Sequence, residues 1–306
     1  MNDEHHAAAH RSSLIGHRSV TLMDKEQFTL ATDHFTIEGR SRAGHETWFR
    51  IRELGIALDI GRGPDAVVHL PHVFISHAHL DHAAGVPWYA GQRHLQRMHG
   101  GRIYVPQEAA DDFRALFSVH ERLTGATFDE VEIVGVAENQ TLRFARNLMV
   151  RGHSATHRVA ARAYEFIEMR HHLRQDYAGL PKEELARLRQ ERVALDEEHH
   201  IPILFYTGDT DRGILETNEA IYRAEVLMIE CSFVADGHQS RAAQYRHIHV
   251  DDLAEFAERF ENRWIVLTHF SRRYDRNEIR DTVRRRLPQS LRDRIRLALP
   301  EAWQRL

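Results

Sequence analysis

The sequence holds one cysteine, Cys231, in 306 residues. No disulfide can form within a single chain, and a reducing compartment, the cytoplasm, is the expected location. No apolar run approaches the roughly 20 residues that a membrane-spanning helix needs, so no membrane partner is expected. The start, Met1-Asn2-Asp3-Glu4-His5-His6, lacks a basic stretch followed by an apolar one, so no signal peptide is expected. A large charge of one sign is also missing. The formal net charge of −4 does not by itself mark a nucleic-acid binder. No internal repeat or low-complexity segment marks a linker. Hydrophobic residues make up 42% of the chain, enough for a sizeable core, and the length suits one large α/β unit.

Histidine is abundant, at 24 residues, so chance clusters are expected. One cluster has a context that chance does not supply. The β-branched and aromatic run His72-Val73-Phe74-Ile75-Ser76 reads as a buried strand. It delivers His77-Ala78-His79-Leu80-Asp81-His82, four metal-capable side chains where the strand ends. His77 and His79 are two apart and share a face on an extended backbone. Neutral imidazoles with a carboxylate suit zinc and similar divalent ions.

The rest of the chain reads as alternating strands and helices. Strands are expected over 28–37, 46–52, 55–60, 102–105, 131–136, 142–150, 159–167, 203–207, 225–229 and 264–268. Helices are expected over 82–98, kinked near Pro87, from Pro106 through Leu123, and over 250–260. Residues 1–20 read as a flexible arm, and 21–306 as a single domain. Residues 168–200 are dense in Arg, Glu and His, and read as an inserted, solvated helical arm. Several strands end in a metal-capable residue: His77 and His79, His157, Asp209, His269. Singly, an Asp after Gly is often a turn residue and a His a satisfied core group. Adjacent strands ending on one rim would bring them together. From Arg272 to Arg296 ten arginines face four acids, which suits either an RNA-binding flank or a solvated helix face with mixed charges.

His77-Ala78-His79-Leu80-Asp81-His82 fits the HxHxDH signature of the metallo-β-lactamase superfamily. Further stretches resemble the tRNase Z (ribonuclease Z) family, in the short form known from plants. They are Gly44-His45-Glu46-Thr47, Asp59-Ile60-Gly61-Arg62, Phe205-Tyr206-Thr207-Gly208-Asp209-Thr210, His247-Ile248-His249 and Leu267-Thr268-His269-Phe270-Ser271-Arg272-Arg273-Tyr274. The resemblance runs from about Phe35 to about Arg286 and implies an α/β fold, an αββα sandwich of two mixed sheets flanked by helices. It implies two Zn²⁺ per chain, with Mn²⁺ or another divalent ion also suited. His77, His79 and His157 would hold the first, Asp81, His82 and His269 the second, and Asp209 both. His157 is preferred to His153 because Ala163-Tyr164 stands where the family has Gly-Tyr after its ligand. Ala for Gly is a departure.

The same resemblance makes His247 the proton donor to the leaving oxygen. Glu230 either orients that histidine or is a simple strand-end carboxylate. Asp81 could take a proton from the attacking water while binding metal. The implied activity is endonucleolytic removal of the 3′ trailer of precursor tRNA, in a homodimer. The alternative is another hydrolase of this fold acting on small phosphodiesters or lactones. If 168–200 grips tRNA, then Arg170, Arg174, Lys182, Arg187 and Arg189 are the expected phosphate contacts.

Overall fold

The computed structural model describes residues 26–306; the expected arm at 1–20 lies outside the described residues. Among the described residues, fourteen strands form two mixed sheets of seven. The first sheet runs β1 (Phe28–Ala31), β2 (Thr36–Arg42), β3 (Glu46–Ile51), β4 (Ile56–Ile60), β5 (His72–Phe74), β6 (Gly101–Pro106), β7 (Val131–Val136). The second runs from β8 (Thr141–Ala145) through β9 (Leu148–Ser154), β10 (Arg162–Leu173), β11 (Asp196–Tyr206), β12 (Val226–Glu230) and β13 (Trp264–Thr268) to β14 (Ile295–Leu297). Each sheet begins as a four-stranded antiparallel meander and continues with parallel pairs from its fourth strand on.

The helices are α1 (Leu80–Ala83), α2 (Val86–Leu95), α3 (Ala110–Thr124), α4 (Lys182–Gln190), α5 (Gly213–Thr217), α6 (Gln239–Tyr245), α7 (Val250–Glu255), α8 (Arg276–Arg286) and α9 (Gln289–Arg292). Strand alternation explains the layering. Phe74, Tyr164, Phe166, Val226 and Met228 pack between the sheets. Val73 and Ile75 point the other way, against Val86, Tyr89 and Phe113 of α2 and α3. Leu227 and Ile229 face Leu253, Ile279 and Val283 on the opposite outer layer. The αββα sandwich expected from the resemblance is thus what forms. Among the described residues, no helix is long and apolar enough to cross a membrane.

Some elements differ from the sequence expectation. The run 28–37 is broken by a turn in which the Thr32 hydroxyl donates to the Phe35 carbonyl. The run 142–150 is a hairpin, β8 and β9, turning at Arg146-Asn147. The helix over 82–98 divides at Gly85, where a Cβ would lie 2.2 Å from the Gly63 nitrogen. Segment 168–200 is α-helical only over α4. Its flanks are strand: β10 and β11 stay paired out to Leu173 opposite Asp196. That ribbon is solvated on both sides near its tip, so no buried face imposed the apolar alternation by which strands are recognised. The resulting arm leaves the body at the end of β11 opposite Asp209. Four of its five expected phosphate contacts are engaged, Arg170 with Glu168, Arg174 with Asp176, Arg187 with Glu184 and Arg189 with Asp196; the Lys182 ammonium makes no such pair among the described residues. Exposed pairs of this kind are worth about 0–1 kcal/mol, so phosphates can displace the acids.

Candidate metal centre

Parallel strands place their carboxyl ends at one edge, where α/β sheets carry their sites. β4, β5, β11, β12 and β13 end there and deliver Asp59, His77, Asp209, Glu230 and His269. The chain makes the required turns at strained positions. Asp59 and His269 have φ of 50° and 59°, in the left-handed region. Gly208 has φ 58°, and a Cβ on it would lie 2.3 Å from the Ser76 Cβ. Only glycine lets Asp209 pass so close to the β5 loop.

One ligand-capable atom from each of His77, His79, His157 and Asp209 lies within 4.8 Å of the others. Asp81, His82 and His269 form a second such group, and Asp209, His247 and His269 a third. Asp209 joins the two halves: one carboxylate oxygen is 3.7 Å from His77 Nε2 and 3.3 Å from His269 Nε2, the other 3.5 Å from His82 Nε2. All seven residues expected as ligands therefore converge. His153 does not. It pairs with Glu165 at 2.9 Å and packs on Phe205.

The histidines are aimed from behind. His82 Nδ1 donates to Asp59 at 2.7 Å. His77 Nδ1 donates to the Ser76 hydroxyl at 3.0 Å, which donates to Asp59 at 2.8 Å. His269 Nδ1 donates to the Ser232 hydroxyl at 2.9 Å, which donates to Glu230 at 2.6 Å. His157 Nδ1 donates to the Arg246 carbonyl at 3.2 Å. Each of these four imidazoles thus keeps its Nε2 lone pair for the centre, while His79 presents Nδ1, 3.0 Å from His77 Nε2. Two fully buried carboxylates, Asp59 and Glu230, anchor the site.

These residues fit divalent cations. His82 Nε2 and one oxygen of Asp209 are buried and have no hydrogen-bond partner. Burial keeps His77, His79 and His157 below the ordinary histidine range, as neutral ligands must be. Burial also opposes charge on His82, but Asp209, Asp59 and Asp81 override it and raise its pKa to about 9. Positive charge is wanted where that nitrogen points. Burial would raise the Asp81 carboxyl; instead the hydrogen bond with His269 and the nearby histidines hold it well below the usual range. Its oxygen also accepts from the Gly44 N–H at 2.6 Å.

His247 stands beside this centre with Nδ1 2.7 Å from Glu230, whose other oxygen accepts from Ser232. Burial disfavours the imidazolium, but Glu230 outweighs it and lifts the pKa to about 9. His247 opens onto a cleft of about 540 Å³ lined also by Gly44, Tyr245, Arg272 and Arg273. His249, the other half of the HxH stretch, has a structural place: it caps α7 by accepting from the Asp251 N–H and donates to the Ala235 carbonyl. Of the arginines over 272–296, only Arg272 and Arg273 line this cleft. Others brace the fold: Arg294 donates to the carbonyls of Phe260 and Asn262, and Arg296 lies over Trp264.

Sequence reading gave Asp59 and Ser76 no role. The available signal was an acid inside a strand that is buried at every position, Ile56–Ile60. We expect Asp59→Ala to weaken metal binding by about 10–100-fold, the usual effect of losing the partner that orients a ligand histidine. Titration of metal-free protein with Zn²⁺ checks this; an unchanged affinity would mean that Asp59 only supports the fold.

Comparison with known proteins extends what the geometry indicates. Residues 56–270 match the model of the β-lactamase superfamily domain. The chain is 33% identical over 276 residues to tRNase Z TRZ1 of Arabidopsis thaliana, an alignment covering 89% of this chain and 98% of that protein. It is 31% identical to the chloroplastic tRNase Z TRZ2 of the same plant, covering 82% and 72%. Among solved structures, the short form of human tRNase Z superposes with a TM-score of 0.54 at 18% identity, covering 77% and 92%. YhfI of Bacillus subtilis, a metallo-β-lactamase-fold protein, gives 0.57 at 16%, covering 81% and 90%, so structural likeness speaks for the fold alone. By sequence, the chain belongs to the tRNase Z family of the β-lactamase superfamily.

Proposed function

We propose that the chain is a metal-dependent endoribonuclease that removes the 3′ trailer of precursor tRNA. The observation that carries this is the convergence of seven ligand residues beside a half-buried His247 that is held by Glu230. His77, His79 and His157 would hold one divalent cation, Asp81, His82 and His269 a second, and Asp209 both. The imidazole-rich donor set favours zinc. When bound, two such cations would lower the pKa of the attacking water and neutralise charge that develops on the phosphate. The residues of the chain do the rest. His247, protonated at neutral pH, donates to the leaving oxygen, and Glu230 holds it in place. Asp81, with its carboxyl held ionised, is a weak proton acceptor and serves as a ligand rather than as the base. Arg272 and Arg273 face the phosphates, and Tyr245 offers a ring on which a base can stack.

The full proposal places the enzyme in the cytoplasm, in keeping with its single, buried Cys231. It works as a homodimer, for which Val119 and Leu123, exposed one turn apart on α3, offer apolar contacts. The reading competes with hydrolysis of small phosphodiesters or lactones on the same scaffold. Comparing kcat/KM for precursor tRNA, a nitrophenyl phosphodiester and a lactone decides between them. The tRNA should be preferred by orders of magnitude; a preference for the lactone would favour the alternative.

The arm over 168–200 is proposed to hold the body of the tRNA. Leu173 and Asp196 are paired across the ribbon, so Asn-Gly in place of 174–195 closes it as a tight hairpin. That deletion should weaken tRNA binding and flatten its salt dependence, and leave nitrophenyl ester hydrolysis intact. Equal loss of both activities would make the arm structural.

A further inference from the structure

β2 carries two arginines on one face, Arg40 and Arg42, with Ser41 between them on the other. The Ser41 hydroxyl accepts from the His269 N–H at 2.9 Å, which ties this strand to the metal centre. Beside that tie lies a small cavity, about 60 Å³, onto which Arg40, Arg42, Arg272 and Arg276 converge. A water occupies about 30 Å³ of liquid, so the space suits two waters or the oxygens of one phosphate.

Charge here is out of balance. Arg40 is 3.6 Å from Glu46, and Arg276 is paired with Glu26. Among the described residues, Arg42 and Arg272 have neither an acid partner nor a hydrogen bond from the guanidinium. Four guanidiniums against two carboxylates leave a surplus of positive charge, in a chain whose net charge is −4. The Arg40 Nε is buried and has no partner. Partial burial, and then the neighbouring Arg40 and Arg272, push the Arg42 guanidinium below its ordinary range, and Glu26 offsets this only in part. Ile279 and Leu299 form part of the wall, while Arg42 and Arg272 reach the surface, so solvent screens the repulsion only in part. Like charges crowded at a cavity are relieved by an anion, and guanidiniums suit a phosphate that accepts from two or more of them.

The position says which anion. Arg272 and Ser271 line this cavity and the cleft that holds His247, so the two spaces adjoin. We infer that the arginine cavity binds a backbone phosphate of the same RNA strand whose scissile phosphate lies at the metal centre. This rests on the endoribonuclease reading and adds a second point of grip, which fixes the register of the strand.

The test uses the metal-loaded full chain with Arg40→Gln/Arg42→Gln, Arg42→Gln alone, and Arg42→Lys. The dissociation constant and its salt dependence are measured with precursor tRNA bearing a short or a long trailer, and with tRNA lacking one. The double variant should bind precursor about tenfold more weakly, and its log–log salt slope should be shallower by about 0.7 for the one single-strand phosphate no longer neutralised. Arg42→Lys should keep the slope. A loss confined to the long trailer assigns the phosphate to the trailer; a loss shared by tRNA without a trailer assigns it to the tRNA body. Unchanged affinity and slope on every RNA would overturn the inference. If the double variant fails to fold, exposed Arg42→Gln alone decides by the same readout. A wild type that binds precursor without cleaving it would refute the endoribonuclease reading, while affinity and slope still judge the cavity.

Discussion

Asp209→Ala is expected to lose metal binding and every hydrolytic activity together. Asp209 is the one residue that faces both halves of the centre, with oxygens 3.3–3.7 Å from the Nε2 atoms of His77, His82 and His269. Without it, five imidazoles and Asp81 remain, but no bridge links the two groups. Paired cations supply several kcal/mol of charge stabilisation, and each 1.4 kcal/mol is tenfold in rate. Turnover of precursor tRNA and of a nitrophenyl phosphodiester should therefore both fall by more than about 10³-fold. Elemental analysis of protein purified without added metal should give two ions per wild-type chain and far fewer in the variant. A variant that keeps two ions and hydrolyses the small ester would remove Asp209 from the centre. Circular dichroism guards against misreading, since unfolding alone would also release metal.

His247→Ala should behave differently in each respect. The imidazole is not among the seven residues assigned to the cations, so both ions and near-normal tRNA affinity are expected to remain. Single-turnover cleavage of saturating precursor tRNA should fall by about 10²–10⁴-fold, the usual contribution of a general acid. A nitrophenolate leaves without being protonated, so hydrolysis of its diester should change little. If His247 only contacts RNA, the outcome reverses: weaker binding, and normal cleavage once the substrate saturates. Glu230→Gln offers a cross-check. It removes the charge that holds His247 protonated and disturbs His269 through Ser232, so it should reproduce the His247 defect and add some loss of metal affinity.

The two variants rest on residues whose legibility in the sequence was unequal. His77, His79, Asp81 and His82 stood out because four ligand types crowd into six positions after a buried strand. His157, Asp209 and His269 are single residues at the ends of distant strands, and resemblance to a family grouped them. The anchors behind them were harder. Asp59 and Ser76 act through hydrogen bonds between segments 17 residues apart, and Ser232 reaches His269 across 37. No local pattern encodes such a contact. The repeated plan of the sheets, an antiparallel meander followed by parallel strands, left no sequence repeat, because different side chains can fill the same layers. The arm shows the opposite limit. Its ribbon is polar on both faces, so the periodicity that betrays a half-buried strand was absent, and a charged segment with spaced leucines was read as helix.

The central claim is tested most directly by mapping the cut. Full-length protein carrying two ions is incubated with a precursor tRNA labelled at its 5′ end and extended at its 3′ end, and the products are sized to the nucleotide. The account predicts a single endonucleolytic cut at the 3′ end of the tRNA body, with the trailer released whole and the reaction abolished in Asp209→Ala. Stepwise shortening of the trailer, or intact precursor in the presence of protein that hydrolyses a nitrophenyl phosphodiester, would contradict it.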